Sequence, residues 1–262
     1  MGAGEETTHI FHIYRRDGSS IFLHPFRSNE QFGALLRGGR VVGRYGAEPE
    51  VDSINLLRDE LHRRIESEVQ AWVRDARFLP RFISAAATFL GTYLFMGFVF
   101  HGVVRAIETL TIAGGAAVAI YLALGRRFQN SEAAEKRRLQ LRNGIDRIGF
   151  EPSAFVARVE GALAMRETLS SEDLRQTMTR SVGDIDIEGY EVEARQFLKY
   201  VGELFDSSEF RRAEKQMNRL VRTANRSETP VTAWKWTESR TLDRPLLSVY
   251  FQIKQKVARD AK

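Results

Sequence analysis

The sequence predicts a mainly α-helical chain organised around a transmembrane helical hairpin, with a small β-rich unit before it and a cytoplasmic helical domain after it. Three observations carry that expectation. Two uncharged, largely apolar runs, residues 82–104 and 109–125, follow one another with a short polar interruption. Arginines and lysines crowd the outer flanks of these runs, and the turn between them carries only Arg105. Most of the remaining chain repeats its apolar residues every three or four positions, the spacing of a helix that buries one face.

Residues 1–50 form the β-rich unit. The stretch HIFHIY alternates, Asp17-Gly18 offers the positive-φ position of a tight turn, and IFLHPF is a second strand that Pro25 ends or confines to an edge. A further short strand follows around residues 40–45. So small a unit buries too little surface to stand alone and is expected to lean on another part of the chain.

Residues 51–79 form an amphipathic connecting helix, with Asp52 or Ser53 as its cap and Leu57, Leu61, Ile65, Val69 and Trp72 on one face. Glu68 and Asp75 fall on the apolar seam of any heptad frame, which argues against a long two-stranded coil. Pro80 marks the boundary or kink where this helix meets the first apolar run.

Residues 80–127 hold the hairpin. At 1.5 Å per residue the first run reaches roughly 34 Å and the second roughly 26 Å, against a hydrocarbon core of about 30 Å. An ionised side chain at a bilayer centre costs about 2.5–3.5 kcal/mol even on the lenient insertion scale. That cost places His101, Arg105 and Glu108 at a membrane turn. Arg77 and Arg81 precede the runs, and Arg126, Arg127, Lys136, Arg137 and Arg138 follow them. These juxtamembrane cations suit anionic headgroups, and the positive-inside rule puts both termini on the cytoplasmic side of a bacterial inner membrane or an organelle membrane. A buried helical hairpin within a soluble core is the alternative. Small residues at helical spacing, Ala87 and Gly91 in the first run and Gly115, Ala119 and Ala123 in the second, suit close packing of spans, within one hairpin or between copies.

Residues 128–262 read as the helical domain. A charged helix stopping at Asn143-Gly144 comes first, then segments near 153–166, 171–181, 189–205 and 208–224, and a last amphipathic helix from Arg244.

Function is less legible. There is no cysteine, which excludes disulfides and thiol chemistry. The start lacks the basic and apolar regions of a signal peptide, and Glu6 stands where a myristoylation signal needs Ser or Thr. Asp184, Asp186, Glu188 and Gly189 imitate the opening of a calcium loop, but Arg195 occupies the position that needs a bidentate glutamate. His9 and His12 fall on opposite faces of a strand and cannot share one ion there, although His24 could approach either. No nucleophile elbow, phosphate loop or zinc helix motif occurs. Catalytic, cofactor-binding and metal residues are therefore expected to be absent. The net charge of +5 is modest and largely juxtamembrane, which argues against nucleic acid, and Trp234-Lys235-Trp236 suits a core or a lipid-facing belt better than base stacking.

The reading is an integral membrane anchor or scaffold that self-associates and presents its helical domain to a cytoplasmic protein partner. A homo-oligomeric two-span channel or transporter subunit with Glu108 near the pore mouth is the alternative, and a membrane-bound enzyme of unknown chemistry the third. The order of elements in the second reading resembles that of the mitochondrial calcium uniporter family. That family's D-I-M-E signature is absent, since Glu108 stands alone with Arg105 one turn earlier; the G-M-N signature of CorA channels is missing too.

Overall fold

The computed structural model describes residues 7–26, 32, 40–100, 106–170, 173–174, 185–205, 208–223 and 242–260. They are mostly helical, with one four-stranded sheet. The expected segment at 171–181 apart from residues 173–174, Trp234 to Trp236, His101, Arg105 and Asp184 lie outside the described residues.

Strands β1 (Thr8–Tyr14) and β2 (Ser20–Leu23) pair as an antiparallel hairpin around Gly18, whose φ of 85° is the left-handed conformation that glycine tolerates. β2 ends before Pro25 and lies at the sheet edge, as a proline requires. β3 (Val41–Tyr45) joins the other side of β1 in parallel, and β4 (Gly149–Pro152) pairs in parallel with β3. The order is therefore β2-β1-β3-β4. β4 was not foreseen. It is the strand that brings the far side of the chain back to the N-terminal residues.

Between β3 and β4 run four helices: α1 (Val51–Ala76), α2 (Phe78–Val99), α3 (Ala106–Gln129) and α4 (Glu132–Asp146). Asp52 falls in the first turn of α1 rather than at its cap, a favourable place for an acid against the helix dipole. Pro80 explains why α1 stops where it does. Its ring crowds the carbonyl four residues back, that of Ala76, and it has no N–H to give that carbonyl. Inside the first turn of α2 the missing N–H costs nothing, because no intrahelical partner exists there. α4 is capped by Ser131, which accepts from the Ala134 N–H at 3.4 Å. It runs through Asn143-Gly144 instead of stopping there, because Leu141 and Ile145 are fully buried and extend its apolar stripe by a turn.

After β4 come α5 (Ala154–Glu167), α6 (Glu191–Leu204), α7 (Ser208–Thr223) and α8 (Arg244–Asp260). Gly189, with φ at 77°, and the Glu191 carboxylate that accepts its N–H shape the entrance to α6. The acidic stretch thus serves as a helix start, with Asp186 paired to Arg158 at 3.1 Å.

The chain divides into two compact units. One joins residues 1–27 and 38–57 to residues 148–262; the other comprises residues 28–37 and 58–147. The N-terminal strands do lean on a partner, as their size required. That partner is α5 and α6, which cover one sheet face, with α8 packed against both helices. Phe11 on β1 sits at the centre of this core with its ring 6.2 Å from Phe155, 6.0 Å from Phe197 and 6.0 Å from Tyr200. Strands β1 and β2 thus share one core with α5, α6 and α8, while α4, expected in the same domain as those helices, belongs to the unit of residues 58–147.

Candidate membrane interface

α2 and α3 are both long and apolar enough to cross a membrane, with mean hydropathy 1.7 in each apolar window. At 1.5 Å per residue their 22 and 24 residues give lengths of about 33 and 36 Å. They pack against one another along their length. Their outer surfaces are bare: none of the apolar window of α2 is buried, and only 11% of that of α3. Leu90, Leu94, Phe95, Phe98, Ile107, Leu110, Val118 and Leu122 each leave more than half their surface open. A core helix of a water-soluble protein would hide such side chains.

The less exposed positions of the two helices mix polar residues with apolar ones such as Phe89 and Met96. Ser84, Ala85, Thr88 and Thr92 of α2 are half-buried, and Thr109, Ala113 and Gly125 of α3 are buried. Thr88 donates its hydroxyl to the Ser84 carbonyl at 2.8 Å, so that polar group is satisfied within its own helix. Ala87, Gly91, Gly115, Ala119 and Ala123 point elsewhere. All five are exposed, and a Cβ built on Gly91 or Gly115 would meet nothing within 4 Å. These small residues do not make the contact within the hairpin. An apolar groove of about 460 Å³, lined by Phe82, Ala85, Ala86, Phe89, Leu90 and Ala117, runs beside that contact.

Arg81 closes one end of the helix pair. It is only 9% exposed. Its Nε and Nη2 donate to the Tyr121 carbonyl at 3.3 and 3.2 Å, and its guanidinium lies 4.0 Å from the Tyr121 ring centroid. Gly125 makes the room, since a Cβ there would stand 2.7 Å from Arg81 Nη2. Arg77 reaches across in the same way, 5.5 Å from the Phe128 ring. Two cations from the start of α2 therefore clamp the end of α3. Arg81 was expected among lipid headgroups; its charge is turned inward instead.

The remaining juxtamembrane cations sort by environment. Arg77, Arg126, Arg127 and Lys136 are exposed. Arg137 and Arg138 are engaged by α1: Arg137 meets Glu68 at 2.8 Å and stacks 4.8 Å from the Trp72 ring, while Arg138 bridges Glu66 at 2.9 Å and Glu135 at 3.3 Å. The hydrogen bond from Arg138 holds the Glu66 carboxyl below its usual range. Glu68, which spoiled the heptad, is thus the buried half of an ion pair. His62 adds a contact to Asp146 at 3.2 Å. Glu108 is exposed in the first turn of α3, where the helix dipole favours an acid.

In the other unit, Arg44 on β3 is the centre of a charge cluster. It pairs with Glu151 of β4 at 3.0 Å and Glu193 of α6 at 3.5 Å, and donates to His9 Nδ1 at 3.4 Å. Burial and the neighbouring Arg44 cation lower the His9 pKa to about 4. Burial lowers the pKa of His12, on the opposite face, and its ring lies 4.8 Å from that of Phe22. Glu160 accepts from the backbone N–H groups of Tyr14 and Ala47, each at 2.8 Å, joining the ends of β1 and β3 to α5. Burial raises its pKa. On α8, the buried Tyr250 hydroxyl donates to Glu214 at 2.8 Å. Among the described residues no group of three His, Asp or Glu side chains is arranged to hold a metal. Arg44 and Glu160 thus hold strands to helices in this unit, whereas the buried His12 Nδ1 has no hydrogen-bond partner among the described residues.

Comparison with protein-family models, with curated proteins and with solved structures finds no match for this chain.

Proposed function

We propose that the chain is an integral membrane anchor. In this reading α2 and α3 form a two-span hairpin that holds the sheet-and-helix unit at one face of a bilayer, and copies associate to present that unit as a scaffold for a protein partner. The observation that carries it is the bare apolar surface of both helices. Water-soluble monomers rarely expose more than a few hundred Å² of contiguous apolar surface, whereas lipid covers such a surface without cost.

Two further observations support the reading. β1 and β3 precede the apolar helices and β4 follows them, yet all three belong to one sheet. A sheet cannot be divided by a bilayer, so helices that span must return the chain to its starting side. The exposed cations Arg77, Arg126, Arg127 and Lys136 flank the outer ends of the pair, which the positive-inside rule assigns to the cytoplasmic side. Self-association draws support from the outward small residues Ala87, Gly91, Gly115, Ala119 and Ala123, where close backbone approach replaces the missing hydrophobic drive in lipid. Confinement to a surface then raises the effective concentration of the soluble unit for itself and its partner.

The test is alkaline extraction and flotation of membranes that carry the full-length protein. Retention in the floating lipid fraction is expected. Release into the supernatant would overturn the anchor.

A further inference from the structure

We infer that the soluble unit is a split fold: the open edge of β3 and the apolar face of β1 form a docking surface whose partner is this chain's own β4, α5, α6 and α8, reachable only after the second crossing. The inference rests on the membrane reading above and adds to it an order of assembly and a consequence of failure.

The two halves of this fold are made on either side of residues 58–147. What the second half supplies is extensive. β4 pairs with β3 from Val42↔Gly149 to Tyr45↔Pro152, and the Ser153 N–H continues the ladder by donating to the Tyr45 carbonyl at 2.8 Å. Gln196 of α6 accepts from the His9 N–H and donates to the Thr7 carbonyl, each at 2.8 Å. Glu160 of α5 receives the N–H groups that end β1 and follow β3. Arg44 finds both of its carboxylates, Glu151 and Glu193, on the returning segment. Phe11, Ile13 and Leu23 are covered by residues of α5, α6 and α8.

Before that segment arrives, β3 presents an unpaired edge and β1 and β2 present an uncovered apolar face. Such an edge is a template for aggregation and a substrate for proteases. Neighbouring strands lie about 4.8 Å apart, and a hydrocarbon core is about 30 Å thick. β4 therefore completes the sheet only from the side on which β1–β3 already stand. A chain whose second span fails to insert leaves its partner segment across the bilayer. The fold thereby couples the pairing of Arg44 and the burial of Phe11 to the completion of the hairpin, and a half-inserted chain is marked by its own open edge.

Two variants of the full chain test this in sealed membranes. The first lacks residues 106–129 and so keeps one span. The second joins Leu57 to Ile148 through a flexible linker of about a dozen residues, the minimum for a parallel crossover, and so keeps none. The readout is tryptic cleavage after Arg44. The one-span variant is expected to be cut there at least about tenfold faster than the intact chain, since cleavage follows the population of the open state. The spanless variant, which loses more of the chain, is expected to recover the protection of the intact protein and to remain in the aqueous fraction. Protection of Arg44 in the one-span variant, or its loss in the spanless one, would overturn the inference. Flotation of the intact chain, run alongside, reports separately on the membrane reading.

Discussion

Phe11→Ala tests whether the strands before the apolar helices and the helices after them share one core. Phe11 is fully buried, and of the four rings within about 6 Å of it only His9 is on its own strand; Phe155, Phe197 and Tyr200 come from the far side of residues 58–147. Truncating a buried phenylalanine to alanine costs about 3–5 kcal/mol, transfer and cavity together. That is a large part of the roughly 5–15 kcal/mol that holds a typical domain folded. The open population of the unit should therefore rise by a factor of about 10² to several thousand. Native-state hydrogen exchange on the full-length protein in nanodiscs reads this directly. Amides of α5 and α6 should exchange faster by about that factor, although the substitution lies in β1. Tyr14→Ala, at a half-exposed position on the same strand, serves as control and should shift exchange by no more than about 0.5 kcal/mol. Unchanged exchange in α5 and α6 with local loosening of β1 alone would refute the shared core.

Three more expectations follow from single contacts. Gly125→Leu drives a side chain into the space of the Arg81 guanidinium, so the helix pair should lose thermal stability in detergent while Gly114→Leu, which meets open space, should not; equal shifts in a thermal melt would count against the clamp. Glu68→Gln strips the carboxylate from Arg137, and a cost of about 3 kcal/mol is expected in urea titrations, at the low end for a buried pair because Arg137 keeps 22% of its side-chain surface exposed. His9 titrates near its ordinary value of 6.5 when unfolded but at about 4 when folded, so below pH 6.5 the unfolded chain takes up the proton first. Stability should be full above about pH 6.5 and decline between 6.5 and 4; urea midpoints at pH 7 and 4.5 should differ more for the native chain than for His9→Gln, and equal differences would remove His9 as the cause.

Much of the helical architecture was legible because the amphipathic segments carry a period. α1, α5, α6, α7 and α8 fall within a few residues of their expected positions, and the β1–β2 turn was readable from Asp17-Gly18 and Pro25. What escaped depends on contacts distant in sequence. β4 is four residues long and ends in Pro152, so neither alternation nor length betrays it; only its parallel pairing with β3 makes it a strand. Helix ends went astray where packing overrode a local stop signal, as Ile145 does for Asn143-Gly144. The small residues of the hairpin were assigned without knowledge of which face is inward, and a helix that is apolar all round offers no period to decide it. Arg81 gave a similarly incomplete signal. Its charge is visible in sequence, but the glycine on the facing helix that lets it turn inward is forty-four positions away.

The most direct measurement uses the absence of cysteine from the chain. Asp17→Cys, Glu188→Cys and His101→Cys, introduced one at a time, can each be probed with an impermeant thiol reagent in sealed vesicles. The account expects the first two to react from one and the same side and the third only from the other. Reaction of all three from one side, or of Asp17→Cys and Glu188→Cys from opposite sides, would contradict it.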